Sequence, residues 1–174
     1  MHTSILLIAF AIAPLATTIL AQDAATPVSD AVRSAAARAA NNFIAAAEAM
    51  PADKYSFKPT PAQMSFGEVI GHMSGGNDAL CSSLGGVAAP KRTAVGAGAR
   101  KEQLVSRLGE TFQFCQSALA QVNDSKLGEK IGYFGEAASR GQVMIAAAEE
   151  WAGHYSQIAV YLRLNGLVPP TAKR

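Results

Sequence analysis

Charge is sparse in this chain and nowhere concentrated. Lys, Arg, Asp and Glu make up 16% of its 174 residues, and no more than two basic residues stand side by side, as in Lys91-Arg92, Arg100-Lys101 and Lys173-Arg174. A nucleic-acid-binding face needs a basic patch or stripe, so that class is excluded. There is no internal repeat and no long low-complexity tract beyond Ala-rich stretches. No strand pattern of useful length stands out, which leaves helix as the expected element. Histidine is limited to three residues and cysteine to two, so any site built from them has few candidates.

The first 21 residues carry no Lys, Arg, Asp or Glu, and the formal net charge of +2 belongs entirely to the remainder. Their pattern is a short head, an apolar run from Ile5 to Leu20, and small Ala21 before a polar switch. That is the layout of a cleavable secretory signal peptide. The rival is a retained membrane anchor. A spanning helix needs roughly 20 apolar residues, and Pro14 interrupts this run. The expectation is a signal peptide over 1–21, a mature chain starting at Gln22, and an exported protein, periplasmic or secreted. Residues 22–174 then form one domain, a length that suits a single sizeable core.

Within that domain four amphipathic segments follow one another. Thr26 and Pro27 open the first, as N-cap and first helical residue, and Pro51 closes it. A segment with two aromatics, PADKYSFKPTP, leads to a capping box at Ser65 and Glu68, with Thr60-Pro61 as an earlier alternative start. Phe66, Val69, Ile70, Met73, Leu80 and Leu84 then mark one buried face. Gly75-Gly76 weakens that helix by about 1 kcal/mol per Gly relative to Ala and lets a backbone or a ligand come close. After a long crossover, Leu104, Leu108, Phe112, Cys115 and Leu119 stripe a third helix over roughly Lys101 to Val122. The fourth runs from about Arg140 to Leu164, ended by Asn165-Gly166, Leu167 and Pro169-Pro170. The fold class is therefore all-α, a four-helix bundle with long second and third connections.

His72 lies on the flank of the second helix's apolar face. Glu150 and His154 stand one turn apart in the fourth, on the side of Ala147, Trp151 and Ile158. A carboxylate turned toward a core is costly unless paired or coordinated, and bundle cores host metal sites built from facing helices. The bland alternatives are a hydrogen-bonded core histidine and a Glu150 paired with Arg140 or Arg163.

The segments AEAMPADKYSFKPTPAQMSFGEVIGHM, LCSSLGG and GHYSQIAVYLRLNGLVPP closely resemble those of the DinB-like proteins, over roughly Phe43 to Pro170. The resemblance implies an up-down-down-up bundle and a divalent metal, zinc or nickel, held by three histidines, one in the second helix and two in the last. Relatives of that kind include metal-dependent thiol transferases, hydrolases and isomerases. Carried over by position, the ligands are His72, His154 and, where the family has its third histidine, Glu150. Two His and one Glu make an accepted open zinc set; equally, the substitution suits a decayed site. Trp151 and Tyr155 are expected to shape the pocket.

Cys81 and Cys115 also fit the family pattern. Two cysteines in an exported protein suggest a disulfide, against two buried free thiols. If the second and third helices run the same way, the pair sits at similar depth, 16 residues after Ser65 and 14 after Lys101. Two functions stay open. One is a metal-dependent enzyme of the thiol-transferase or hydrolase type. The other is a non-catalytic exported bundle that binds a small ligand or partner, to which the low aromatic content of 7% is suited. A small-molecule ligand and a homodimer are compatible with either.

Overall fold

The computed structural model describes residues 26–96 and 98–172. The expected signal peptide, 1–21, and the mature start at Gln22 lie outside them. The described residues form four α-helices: α1 (Pro27–Ala49), α2 (Phe66–Gly85), α3 (Lys101–Leu119) and α4 (Arg140–Leu164). Among the described residues, no helix is long and apolar enough to cross a membrane.

Each start has a local cause. Ser65 and Glu68 form the reciprocal capping box of α2, the Ser65 N–H donating to Glu68 Oε2 at 2.6 Å and the Glu68 N–H to Ser65 Oγ at 3.2 Å. Ser139 and Gln142 do the same for α4. At α1 Thr26 is the N-cap and Pro27 the first helical residue, as expected, but the Thr26 side chain makes no capping bond. The cap comes instead from Asp124, whose carboxylate accepts the Val28 and Ser29 N–H groups at 3.0 and 2.8 Å. Free N–H groups at a helix start favour an anion, and the chain supplies one from a segment 95 residues away. At the other end of α4, Leu167 N–H returns to Leu162 O at 2.9 Å and closes the helix.

Helix α1 packs on α3 and α4, and α2 packs on the same two, so α1 and α2 sit diagonally. Paired residues give the directions. Asn77 meets Thr111 and Cys81 meets Cys115, so α2 and α3 run the same way. His72 meets His154 while Arg140 reaches Leu84, so α4 runs against α2. Lys101 reaches Glu48 and Arg33 reaches Leu119, so α1 runs against α3. A disulfide joins Cys81 and Cys115, whose Cα atoms are 5.0 Å apart. Gly85 lies where the two helices come close: a Cβ there would stand 2.8 Å from the Ala118 carbonyl oxygen. The core between the helices holds Phe43, Phe66, Leu104, Leu108, Phe112, Met144, Ile158 and Tyr161.

The architecture is not wholly helical. Residues expected to be irregular before α4 form an antiparallel hairpin, β1 (Lys130–Tyr133) and β2 (Glu136–Ser139), paired Lys130 to Ser139 and Tyr133 to Glu136. Four-residue strands rich in Gly, Ala and charge carry almost no period-2 signal, which is why the sequence hides them. Contacts with α2 and α4 hold the hairpin. The Ser83 hydroxyl donates to Gly132 O, and buried Arg140 donates to Leu84 O and pairs with Glu129 at 2.8 Å. Its two-residue loop, Phe134-Gly135, has both residues at positive φ, +46° and +91°, the pattern of a type I′ turn.

Candidate functional site

His72, Glu150 and His154 come together on the flank of the bundle, where α2 and α4 cross. The His72 and His154 rings meet edge to face with centroids 4.9 Å apart. His154 Nε2 stands 3.3 Å from Glu150 Oε2. The setting differs from the inward one expected. The His154 side chain is 20% exposed and that of Glu150 46%, and His72 is also exposed. On a helical wheel Glu150 is about 60° of arc from Ala147 and about 100° from Trp151. It therefore lies on the shoulder of the buried stripe, and its carboxylate stays in contact with water.

The hydrogen bonds around His154 fix its chemistry. Met64 O is a backbone carbonyl and can only accept, so the Tyr161 hydroxyl, 2.9 Å away, donates to it. That hydroxyl then accepts from Gln157 Nε2 at 3.0 Å. The Gln157 amide is thereby oriented, with Oε1 turned to His154 Nδ1 at 3.1 Å. An amide oxygen accepts only, so Nδ1 carries a proton and Nε2 of a neutral ring presents its lone pair. Nε2 lies 3.3 Å from Glu150 Oε2 with no hydrogen bond between them, close enough for both to reach one cation. Histidine ligands in metal sites are held the same way, by an acceptor on the other ring nitrogen.

Among the described residues, no group of three His, Cys, Asp or Glu stands ready to hold a metal ion. What is ready is the pair Glu150 and His154, with the His72 ring against it. The donor types suit a divalent metal, and the orientation of His154 suits it as well.

Beside these residues opens a cleft of about 360 Å³, lined by His72, Gly76, Leu80, Phe134, Glu150 and Trp151, among others. Trp151 forms one wall of it. The indole is pinned from behind: Trp151 Nε1 donates to Asn77 Oδ1 at 2.9 Å, and Asn77 Nδ2 donates to Thr111 Oγ1 at 3.3 Å. Tyr155 is elsewhere. Its ring packs edge to face on Phe43 at 5.8 Å and its hydroxyl bonds Thr171 at 3.1 Å, so it faces α1 and the C-terminal turn. Residue 155 is about 100° round the helix from His154, enough to carry it off the cleft.

Three contributors escaped the sequence reading. Asn77 fills the gap between Met73 and Leu80 in the apolar stripe of α2, and a polar residue at such a place is a usable signal. Gln157, one turn beyond Gly153, had no mark of its own. Phe134 depends on a hairpin that the pattern does not announce.

A profile of the DinB superfamily matches residues 35–158. Solved structures of similar fold include a DinB-like protein from Bacillus subtilis, 21% identical with a TM-score of 0.63, covering 78% of this chain and 92% of its own. A DinB-like protein from Bacillus cereus is 14% identical with a TM-score of 0.69, covering 81% and 95% respectively. A conserved protein from Enterococcus faecalis is 19% identical with a TM-score of 0.65, covering 80% and 98%. At these identities the likeness is one of fold. No curated protein matches the chain.

Proposed function

Since the chain belongs to the DinB superfamily, we propose that its cleft is a divalent-metal site held by His72, Glu150 and His154, serving a small-molecule enzyme of the hydrolase or thiol-transferase type. The observation that carries this reading is the closeness of His154 Nε2 to Glu150 Oε2, 3.3 Å, with Nδ1–H held by Gln157 and the His72 ring alongside. A bound zinc or nickel ion would supply Lewis acidity and lower the pKa of a thiol or water. The protein's own part is to bind and orient. Gln157 holds the His154 ring, Asn77 holds Trp151 as a wall, and Leu80 and Phe134 border the cleft.

Export favours hydrolysis over thiol transfer, because reduced low-molecular-weight thiols are scarce outside the cytosol. The Cys81–Cys115 disulfide supports an oxidising compartment. Intact mass of protein recovered from an export-competent host tests this point: a chain starting at Gln22 is expected, and an uncleaved Met1 in the membrane fraction reverses it.

Calorimetric titration with zinc and nickel tests the site. Wild type is expected to bind one ion, Glu150→Ala to bind about tenfold or more weakly, and Glu150→His to match or exceed wild type. Binding restored only by Glu150→His, with none in wild type, overturns the metal reading. The exposure of Glu150 and the lack of a ready three-residue group among the described residues favour that second reading, a non-catalytic bundle that binds its ligand without metal.

A further inference from the structure

Two places where the chain departs from local preference converge on this cleft. The first is Gly75-Gly76 in the middle of α2. A Cβ at either position would meet nothing within 4 Å, so no close packing of a neighbour calls for glycine there. What the missing side chains leave is open space, and at Gly76 that space is the cleft. The second is Phe134. The first position of a type I′ turn favours Asn or Gly, and a bulky residue at positive φ is an outlier. Phe134 sits there at φ +46°, 71% exposed, bordering the same cleft. An exposed aromatic in a costly conformation and a helix thinned by two glycines are each unfavourable for folding, and such departures gather at functional sites.

The rest of the wall is mostly apolar. Met73, Ala79, Leu80 and Trp151 supply most of it, Asn77 is a polar exception already bonded to Trp151 and Thr111, and His72 and Glu150 bring the ionisable groups. A volume of about 360 Å³ is that of a small-ligand pocket. We propose that this cleft binds a small molecule carrying an aromatic ring, which lies against Phe134 and Trp151 over the open floor at Gly76, with its polar end toward His72 and Glu150. The proposal deepens the reading of the same site given above, but the ring-binding half does not rest on the metal.

The test uses the full mature chain and two kinds of probe. The first is 4-fluorobenzyl alcohol, followed by fluorine NMR on metal-free protein. Saturable binding is expected in wild type, with loss in Gly76→Leu, whose side chain has room to occupy the floor. Gly76→Ala is the milder variant if Leu impairs folding, with a partial loss expected. Phe134→Asn is expected to weaken binding threefold or more while leaving the melting temperature equal or higher, since Asn-Gly suits the turn. The second probe pair is benzohydroxamate and acetohydroxamate on zinc-loaded protein. They share a metal-binding head, and the ring is expected to tighten binding by about tenfold. Absence of saturable fluoro-probe binding, or binding unchanged in both Gly76 variants, overturns the proposal. Equal affinity of the two hydroxamates for zinc-loaded protein also overturns it and leaves the metal site standing. Ring binding in a protein that takes up no zinc sustains this proposal and overturns the metal reading.

Discussion

Trp151 Nε1 donates to Asn77 Oδ1 at 2.9 Å inside the α2–α4 interface, and both side chains are almost wholly buried. This bond ties the cleft wall to the core. Removing one partner strands a buried N–H, at a cost of about 1–3 kcal/mol. Asn77→Ala is expected to lower unfolding stability by that amount in urea. Trp151, the sole tryptophan, reports the change through its own emission. A stability equal to wild type with unaltered emission would show the bond to be dispensable.

Gln157 sets the His154 proton through the chain from Met64 O. Replacing it by Leu removes the acceptor at Nδ1. Nitrogen-15 NMR of the imidazole is expected to show the Nδ1–H form dominant in neutral wild type and mixed tautomers in Gln157→Leu. Zinc affinity should fall about tenfold or more, whereas Gln157→Glu, which retains an acceptor, should keep the wild-type tautomer. A tautomer ratio unaffected by Leu would refute this role.

Acid should loosen two helix starts. The Ser65 backbone N–H, then Lys58 and the Ser65 hydroxyl, hold the Glu68 carboxyl down to about 2 from its ordinary 4.5. At Asp124, burial pushes the pKa up, but bonds from the Ser29 hydroxyl and the Val28 and Ser29 N–H groups outweigh it and the net shift is downward. For a depressed acid the unfolded state binds protons first. The contribution is therefore complete above the ordinary pKa and is lost as pH falls toward the folded value, for Glu68 between 4.5 and about 2. Melting temperature against pH should fall across that window in wild type. Glu68→Gln and Asp124→Asn should start lower at neutral pH and show shallower acid limbs. Curves parallel to wild type would deny the linkage.

The disulfide closes a loop with a sequence separation of 34. In the chain-entropy model that stabilises the fold by about 3–4 kcal/mol. Thiol counting on denatured, unreduced protein should find none. The Cys81→Ser, Cys115→Ser double variant should unfold at lower urea by a corresponding amount. Two free thiols in the wild type would remove this contribution.

Helix existence was legible in the chain because its causes are local. The spacing from Phe66 to Leu84, the Ser65–Glu68 box and the Asn165-Gly166 stop act within a few residues, and α2 starts and α4 ends where these signals place them. The candidate site residues could be named from the sequence only through the family resemblance, and the structure brings two of them, His72 and His154, ring to ring across α2 and α4. Three things were decided only by the tertiary structure. Asp124 caps α1 because loop geometry brings a carboxylate to a helix start 95 residues away, which no window of sequence can contain. The hairpin forms because Arg140 and Ser83 anchor it to α2, while its strands have weak preferences of their own. Glu150 faces water and Tyr155 faces α1 because a residue's surroundings depend on how neighbouring helices cross. Periodicity tells which residues share a face, and only packing decides what that face meets.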